Sequence, residues 1–331
     1  MALLTADPRE QTVLRTAAVV GTGMIGTSVA LALRSRGVTT YLVDRVAEAA
    51  RTAEAIGAGI AGLPPEPVQL AVLAVPPSST ADALAEWQGR DLAESYTDVA
   101  SVKAGPHREM TATGCDLTRF VGGHPIAGSE RSGPTAARGD LFHDRPWVLT
   151  PSRQSGDAAL WHTRQLVRLC GARPLLMDHA EHDRAVALVS HTPHLVSSLL
   201  AARLKDAGPA QLQLAGKGLR DTTRIAAGDV GLWTDILGSN AEAVHTVLAG
   251  LAADLGEVLA VLDRLGPGGA ERDTAVATLR SALARGIEGR ERLDPRAPDT
   301  ATAVPGASDG GPRDAGRAAA EPLLTVPALH T

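Results

Sequence analysis

Cysteine and aromatic residues are both scarce in this chain of 331 residues. The two cysteines, Cys115 and Cys170, are too few for a disulfide framework and lack the spacing of a metal site. We therefore expect two reduced thiols, as in a cytosolic protein. Aromatic residues make up 2% of the sequence, so Ala, Leu, Val and Gly must fill the core. Small aliphatic side chains favour helices packed on helices or on a sheet over a β-sandwich.

The sequence also lacks an excess of basic residues and any long apolar run. The formal net charge is −5 at pH 7, which predicts no basic surface for nucleic acid. No stretch approaches the roughly 20 uninterrupted apolar residues that cross a membrane. Residues 1–16 contain acids and a proline where a secretory signal needs an apolar run. We therefore predict a soluble, cytoplasmic protein that binds neither nucleic acid nor a membrane.

Short apolar runs alternate with helical patterns over the first half of the chain. Such runs, flanked by turn residues, are typical of buried strands in a parallel sheet. The segments between them have helical spacing of apolar residues, as from Met24 to Arg36. This alternation predicts an α/β domain with a doubly wound parallel sheet over residues 1–178. The predicted strands are 17–21, 39–44, 69–75, 97–100, 120–123, 147–150 and 173–177.

From residue 179 onward the strand patterns end. Ala- and Leu-rich segments with polar faces predict an all-helical second domain over residues 179–290. After Arg290 the composition is dominated by Pro, Gly, Asp, Ala and Arg, which cannot bury a core, so residues 291–331 are predicted to be a disordered tail. The predicted helices are 179–206, 209–219, 231–238, 240–265 and 270–289.

A glycine-rich turn, GTGMIG at residues 21–26, lies between the first predicted strand and the first predicted helix. Gly21 permits a tight turn, Gly23 lets a pyrophosphate approach the backbone, and Gly26 allows close helix–strand packing. Asp44 follows the second strand, where a carboxylate accepts hydrogen bonds from an adenosine ribose. Because this carboxylate repels a 2′-phosphate, we predict a Rossmann-type domain that binds NAD, although Arg45 weakens the preference over NADP. The same cofactor site is predicted to include Met24, Ile25 and Val75.

Further segments carry residues suited to chemistry. Ser101, in SVK, follows the carboxyl end of a strand, where open α/β sheets bind ligands. His124 lies in GGHPIAGSERSG, residues 122–133. SHTPHLVSSLL begins at Ser190, and LRDTTRIA spans residues 219–226. Together with the nucleotide motif, and in this order, these segments resemble the prephenate/arogenate dehydrogenase family.

The resemblance implies both an architecture and a reaction. The architecture is a Rossmann domain followed by an all-helical dimerisation domain, assembled as a homodimer. In the reaction, prephenate or arogenate loses a hydride from ring carbon 4 to NAD, the proton of the hydroxyl on that carbon, and the ring carboxylate as carbon dioxide. The product is 4-hydroxyphenylpyruvate or tyrosine. Such a reaction needs a base at the hydroxyl and cations for the carboxylates.

The resemblance also implies roles for single residues. His124 matches the catalytic histidine, and a neutral imidazole suits hydroxyl deprotonation. Ser101 matches the serine that hydrogen-bonds the same hydroxyl; its alternative role is a helix cap. Arg224 matches the arginine that holds a substrate carboxylate, for which a guanidinium fork is suited. His191 and His194 share a helical face and match a pair facing the substrate side chain, unless they are polar residues that cap the core.

The sequence leaves open which substrate is used. Prephenate and arogenate differ in their side chain, which carries a keto group in prephenate and an ammonium in arogenate. Ser129, Glu130 and Ser190 lie in the segments matched to substrate binding. An anion at Glu130 would favour the ammonium of arogenate, unless it pairs with Arg131 or Arg224. An amino-substituted prephenate analogue from a specialised pathway is a third alternative.

Other functions fit the sequence less well. A β-hydroxyacid or imine-type dehydrogenase is expected to carry a catalytic lysine in its helical domain, whereas Lys205 and Lys217 lie in no recognisable motif. A non-catalytic NAD-binding regulator would not need His124, Ser101 and Arg224 together. We predict no metal site, because no H-E-x-x-H motif is present and the hydride transfer requires no metal.

Overall fold

The computed structural model describes residues 13–128, 131–265 and 271–293. Its strands are β1 (Thr16–Val20), β2 (Thr39–Val43), β3 (Ile60–Ala61), β4 (Val68–Leu73), β5 (Ala93–Asp98), β6 (Phe120–Pro125), β7 (Pro146–Thr150) and β8 (Arg173–Leu176). They form one eight-stranded sheet in the order β3-β2-β1-β4-β5-β6-β7-β8. The order reverses between β1 and β4, so the predicted doubly wound arrangement is confirmed.

Helices connect these strands and cover both faces of the sheet. They are α1 (Met24–Ser35), α2 (Ala47–Ala55), α3 (Thr80–Gly89), α4 (Ala104–Ala112) and α5 (Asp157–Leu169). Ala17 and Val19 of β1 pack in one core cluster with α1 and α5, whereas Ala18 and Val20 pack in another with α3 and α4. Successive side chains of a strand point to opposite faces, so a strand covered on both faces is apolar throughout.

Strand β7 departs from the predicted parallel sheet. It runs antiparallel to β6, with Gly122 opposite Thr150 and Pro125 opposite Trp147. A parallel neighbour needs a crossover helix. The described residues between β6 and β7 contain only a short 3-10 turn, Pro134–Ala136, so the chain returns in the opposite direction. Strand β8 follows α5 and is parallel to β7.

Helical segments follow β8, as the sequence predicted. Helices α6 (His179–Val186) and α7 (Thr192–Ala202) are joined by a π-helical turn, Ala187–His191. Pro193 is the second residue of α7 and has no N–H to donate to the preceding turn, which the wider π turn accommodates. The remaining helices are α8 (Pro209–Gln213), α9 (Lys217–Thr223), α10 (Val230–Ser239), α11 (Ala241–Arg264) and α12 (Arg272–Glu291).

The chain divides into two compact units, one ending at Gly256 and the other beginning at Glu257. The domain boundaries predicted at residues 178 and 290 stay predictions. The tail predicted from residue 291 lies outside the described residues from 294 onward. Two helical stretches, His179–Ala202 and Ala241–Arg264, are long and apolar enough to cross a membrane. Length and composition give weak support for a span, because the core helix of a soluble protein passes the same test.

Candidate active site

The turn between β1 and α1 requires glycine at two positions. Gly21 has a φ of +96°, and a Cβ there would lie 2.3 Å from the carbonyl oxygen of Ala74. A Cβ on Gly26 would lie 2.0 Å from the carbonyl oxygen of Gly21, so α1 can approach β1 only if residue 26 has no side chain. Gly23 differs, because a Cβ there would meet nothing within 4 Å. It is the N-cap of α1, so open space lies where the helix presents its free N–H groups.

A cleft of about 490 Å³ lies beside this turn, at the switch point of the sheet between β1 and β4. Asp44 lies in its wall, and one carboxylate oxygen accepts hydrogen bonds from the N–H and the hydroxyl of Thr22 at 2.6 and 2.8 Å. The other oxygen accepts from the N–H of Val46 at 2.8 Å. Arg45 and Val75 also line the cleft. The open helix N-terminus, the fixed carboxylate and the volume fit a dinucleotide.

The side chains between the glycines face other surroundings. Met24 lines a second pocket of about 440 Å³ together with Arg131 and Arg138. Ile25 packs against the core cluster that contains α1. Neither side chain lines the cleft of Asp44, so their predicted part in cofactor binding would fall to their backbone groups at the start of α1.

His124 lies near the carboxyl end of β6 in a row of three side chains. Its Nδ1 is 2.8 Å from Nε2 of His182, and Nδ1 of His182 is 2.8 Å from Oδ1 of Asp183. His124 is half-buried, whereas the two residues of α6 are buried. A strand and a helix that are far apart in the sequence therefore meet at the candidate base.

A buried ion pair fixes the backbone next to His124. The Nζ of Lys103 donates to a carboxylate oxygen of Asp98 and to the carbonyl oxygen of Gly123, the latter at 2.6 Å. Asp98 also accepts the N–H of Gly123 at 2.8 Å. Lys103 and Asp98 are 3% and 1% exposed, so both charges depend on these partners. The residue before His124 is thereby held by both of its backbone polar groups.

The electrostatics around His124 favour a neutral imidazole. Burial lowers the pKa of His124 well below its usual 6.5, and the nearby His182 and the charge of Lys103 lower it further. Burial raises the pKa of Asp183, but hydrogen bonds from His182 and from the N–H groups of Ala104 and Lys103 outweigh this and hold it below its usual value. At neutral pH the row therefore contains an uncharged candidate base and a carboxylate.

His191 and His194 both contact the ring of Trp233. His194 stacks on it, with 3.5 Å between ring centroids, and His191 meets it edge-on at 6.3 Å. The Nδ1 of His191 lies 3.1 Å from Nδ2 of Asn240, and burial lowers the pKa of His191 to about 4. Within the described ranges, the buried Nδ1 of His194 has no hydrogen-bond partner. A buried ring nitrogen without a partner calls for a ligand or a water.

Arg224 begins a 3-10 turn, Arg224–Ala227, that packs against α7, the helix of His194. The hydroxyl of Ser197 in α7 donates to the carbonyl oxygen of Thr222 at 2.8 Å and fastens this segment. Arg224 itself is exposed. The guanidinium is therefore carried on a segment tied to the helix of His194 and remains accessible to a ligand.

Of the predicted serines and Glu130, the structure describes two, Ser101 and Ser190. Ser101 is half-buried in the loop between β5 and α4. Ser190 is half-buried in the π-helical turn. Ser129 and Glu130 lie outside the described residues, so the predicted contact with the substrate side chain stays a prediction.

Several residues of this site were missed by the sequence reasoning. Lys103 lies two residues after Ser101 in the SVK segment, so the segment that pointed to Ser101 could also have pointed to this lysine. His182, Asp183 and Asn240 had none, since their spacing matches no motif. In the part of the chain that the structure describes, no group of three or more His, Cys, Asp or Glu side chains is placed to hold a metal ion. His182 contacts His124 directly, whereas Asp183 is linked to it through His182, and Asn240 through Asp183.

Two family models match the chain in succession. The model of the prephenate dehydrogenase nucleotide-binding domain matches residues 29–176, and that of the prephenate dehydrogenase dimerization domain matches residues 178–271. The chain belongs to the prephenate/arogenate dehydrogenase family. The resemblance inferred from the motifs is thereby confirmed.

Relatives within this family support the assignment. The chain is 44% identical to the probable prephenate dehydrogenase NovF of Streptomyces niveus over 284 residues, which is 86% of this chain and 78% of NovF. It is 32% identical to the prephenate dehydrogenase of Lactococcus lactis over 241 residues, which is 68% of this chain and 64% of that protein. It is 32% identical to the cyclohexadienyl dehydrogenase of Zymomonas mobilis over 260 residues, which is 74% of this chain and 87% of that protein.

Solved family structures share the fold. Prephenate dehydrogenase from Aquifex aeolicus, in complex with hydroxyphenyl propionate and NAD+, has a TM-score of 0.75 at 25% identity, covering 86% of this chain and all of its own. Arogenate dehydrogenase from Synechocystis has a TM-score of 0.67 at 26% identity, covering 84% of this chain and 99% of its own. The matching family model describes a nucleotide-binding domain, and the neighbour from Aquifex aeolicus was solved with NAD+ bound.

Proposed function

We propose that this chain oxidatively decarboxylates prephenate, arogenate or both in the cytoplasm, with NAD as the hydride acceptor. One observation carries the proposal: a neutral, partly buried His124 lies at the carboxyl end of β6. The dinucleotide turn follows the carboxyl end of β1, and both strands belong to the parallel part of the sheet. The base and the cofactor cleft therefore open at the same edge. Both substrates are included because the relatives comprise prephenate, arogenate and cyclohexadienyl dehydrogenases.

In this proposal His124 accepts the proton of the hydroxyl on ring carbon 4. Its lowered pKa keeps it neutral and ready to accept at pH 7. Ser101 hydrogen-bonds the same oxygen and orients it. NAD, when bound, supplies the acceptor for the hydride of that carbon. The ring carboxylate then leaves as carbon dioxide, and the electrons of the broken bond complete the aromatic ring. The phenolate oxygen formed in this way takes the proton back from His124, which gives the phenol product and restores the neutral base.

Cationic and polar groups of the helical part would hold the substrate's carboxylates. Arg224 offers a planar fork suited to one carboxylate. The unpaired Nδ1 of His194 can take a polar atom of the substrate, with His191 and Ser190 beside it. We propose that Ser129 and Glu130 contact the substrate side chain and that Glu130 favours the ammonium of arogenate.

The purified chain should produce NADH and carbon dioxide in equal amounts from prephenate or arogenate. Running both substrates side by side gives the preference. The His124→Asn variant should bind NAD as the wild type does but lose turnover by about 10²–10⁴-fold, because general-base catalysis is lost. His143→Asn removes an exposed histidine and is the matched control. Normal turnover by His124→Asn would contradict the proposed mechanism.

We also propose that the chain is a homodimer joined through its helical part. The segment matched by the dimerization-domain model includes all of α11, which carries exposed leucines along one face. They recur at helical spacing and are 42–58% exposed, a larger apolar stripe than an isolated helix face in water normally shows. Leu255→Glu with Leu259→Glu should shift the sedimentation coefficient to that of a monomer, and Ile56→Glu at the exposed C-cap of α2 is the control. A wild-type monomer would contradict the proposal. The exposed leucines are Leu251, Leu255, Leu259 and Leu262.

A further inference from the structure

The row formed by His124, His182 and Asp183 has a defined direction of hydrogen bonding. An ionised carboxylate only accepts hydrogen bonds, so its 2.8 Å contact puts a proton on Nδ1 of His182. A neutral His182 then has a bare Nε2, which can only accept. The 2.8 Å contact between the two rings therefore puts the proton of His124 on its Nδ1. The Nε2 of His124 is left bare.

Asp183 is fixed independently of the ring that it holds. Its carboxylate accepts the N–H groups of Lys103 and Ala104, each at 2.8 Å, at the start of α4. Its carbonyl oxygen accepts from Nδ2 of Asn240 at 2.9 Å. The free N–H groups of a helix start favour a negative charge, so the carboxylate stays ionised and cannot turn away from His182.

We propose that His182 and Asp183 are positioning residues that hold His124 in the tautomer with a bare Nε2 and stabilise the imidazolium formed during turnover. This inference rests on the role of base proposed above for His124. The proton taken from the substrate hydroxyl is held on Nε2 until the phenolate oxygen of the product takes it back, and the Nδ1 proton keeps its hydrogen bond to His182. The negative charge of Asp183 then lies two hydrogen bonds from the new positive charge, and no proton has to move along the row.

The tautomer can be measured directly. In protein labelled with ¹⁵N-histidine, protonated and bare ring nitrogens give well separated resonances, and the signals of His124 are those that disappear in His124→Asn. Near pH 8, where imidazoles are mostly neutral, we expect a protonated Nδ1 and a bare Nε2 in His124. The opposite assignment would overturn the proposal.

Two variants separate positioning from packing. His182→Leu removes the acceptor, so the proton of His124 should move to Nε2 and kcat should fall about 100-fold or more, as for other bases held in the wrong tautomer. The affinity of the His182→Leu variant for NAD should not change. The side-chain carbonyl of His182→Gln can still accept from Nδ1, so this variant should keep the tautomer and recover much of the lost kcat. His162→Gln, which removes a buried histidine bonded to Ser95 at 3.0 Å, should leave both readouts unchanged.

An unchanged tautomer and an unchanged kcat in His182→Leu would overturn the proposal. If His182→Leu does not fold, the spectra of the wild type and of His182→Gln decide, because both must show the proton on Nδ1. These spectra do not depend on turnover. A chain that shows the expected tautomers but oxidises neither substrate would contradict the proposed function while supporting the hydrogen-bonded row.

Discussion

Lys103 is a buried cation close to His124, the proposed base, which must be uncharged to accept a proton. Its ammonium is held by Asp98 and by the carbonyl oxygen of Gly123. A positive charge disfavours a second one nearby, so Lys103 lowers the pKa of His124, after the larger effect of burial. The ion pair therefore has an electrostatic consequence in addition to fixing the strand.

Lys103→Met should move the acid limb of kcat/KM to higher pH. In the wild type this limb should lie below pH 6.5, because His124 takes up a proton only well below that value. Removing the cation removes one cause of the lowered pKa, so protonation begins at a higher pH. Profiles of kcat/KM against pH measure the shift, with the exposed Lys217→Met as the control.

The loss of stability in Lys103→Met has to be separated from the shift of its acid limb. Lys103→Met leaves Asp98 buried without its partner, which costs about 3–5 kcal/mol. The double variant Asp98→Asn with Lys103→Met should recover most of that loss and still show the raised acid limb. A limb that stays in place in the double variant would contradict the electrostatic role of Lys103.

Elements differ in how much of them the sequence could predict. Buried parallel strands and their helices leave local patterns, so the alternation of strands and helices was predicted, except for the two-residue strand β3. The direction of β7 was not, because it depends on a connection, residues 126–145, that has no regular pattern of its own. His124 lies in a recognisable local segment, whereas His182 reaches it across 58 residues. A hydrogen bond between distant elements leaves no periodic signal in either of them.

The β1–α1 turn allows two glycines to be compared within one element. Gly26→Ala should destabilise the fold, because its Cβ would lie 2.0 Å from a carbonyl oxygen. Gly23→Ala should melt near the wild-type temperature, since its Cβ meets nothing in the protein, yet lose NAD affinity at least about tenfold where the pyrophosphate must approach the backbone. Thermal melts and NAD titrations measure the two effects. Equal NAD affinity in Gly23→Ala and the wild type would argue against this binding mode.

In the described part of the molecule, burial lowers the pKa of six histidines. The unfolded chain takes up protons near the ordinary value of 6.5, whereas the folded chain resists until lower pH. The unfolded state therefore binds more protons in this range, and stability falls as pH falls. The loss begins near pH 6.5 and continues toward about 4, the pKa of His179 and His191. The histidines with lowered pKa are His107, His124, His162, His179, His191 and His194.

Urea unfolding should show this pH dependence directly. The urea midpoint at about pH 5 should be clearly lower than at about pH 7.5. The slope of the unfolding free energy against urea concentration should be similar, because pH changes the proton uptake and leaves the area exposed on unfolding unchanged. In His162→Gln the difference between the two midpoints should shrink, since one of these histidines is gone. Equal midpoints at the two pH values would show that the buried histidines do not control acid stability.

The carboxylate of Asp183 joins parts of the chain that the two family models treat as separate. It belongs to the segment matched as the dimerization domain, but it accepts N–H groups at the start of α4 in the segment matched as the nucleotide-binding domain. A chimera that took these segments from two different relatives would have to preserve this contact across its seam. A chimera joined at residue 177 would combine His124 from one parent with His182 and Asp183 from the other. The two segments must therefore be exchanged together.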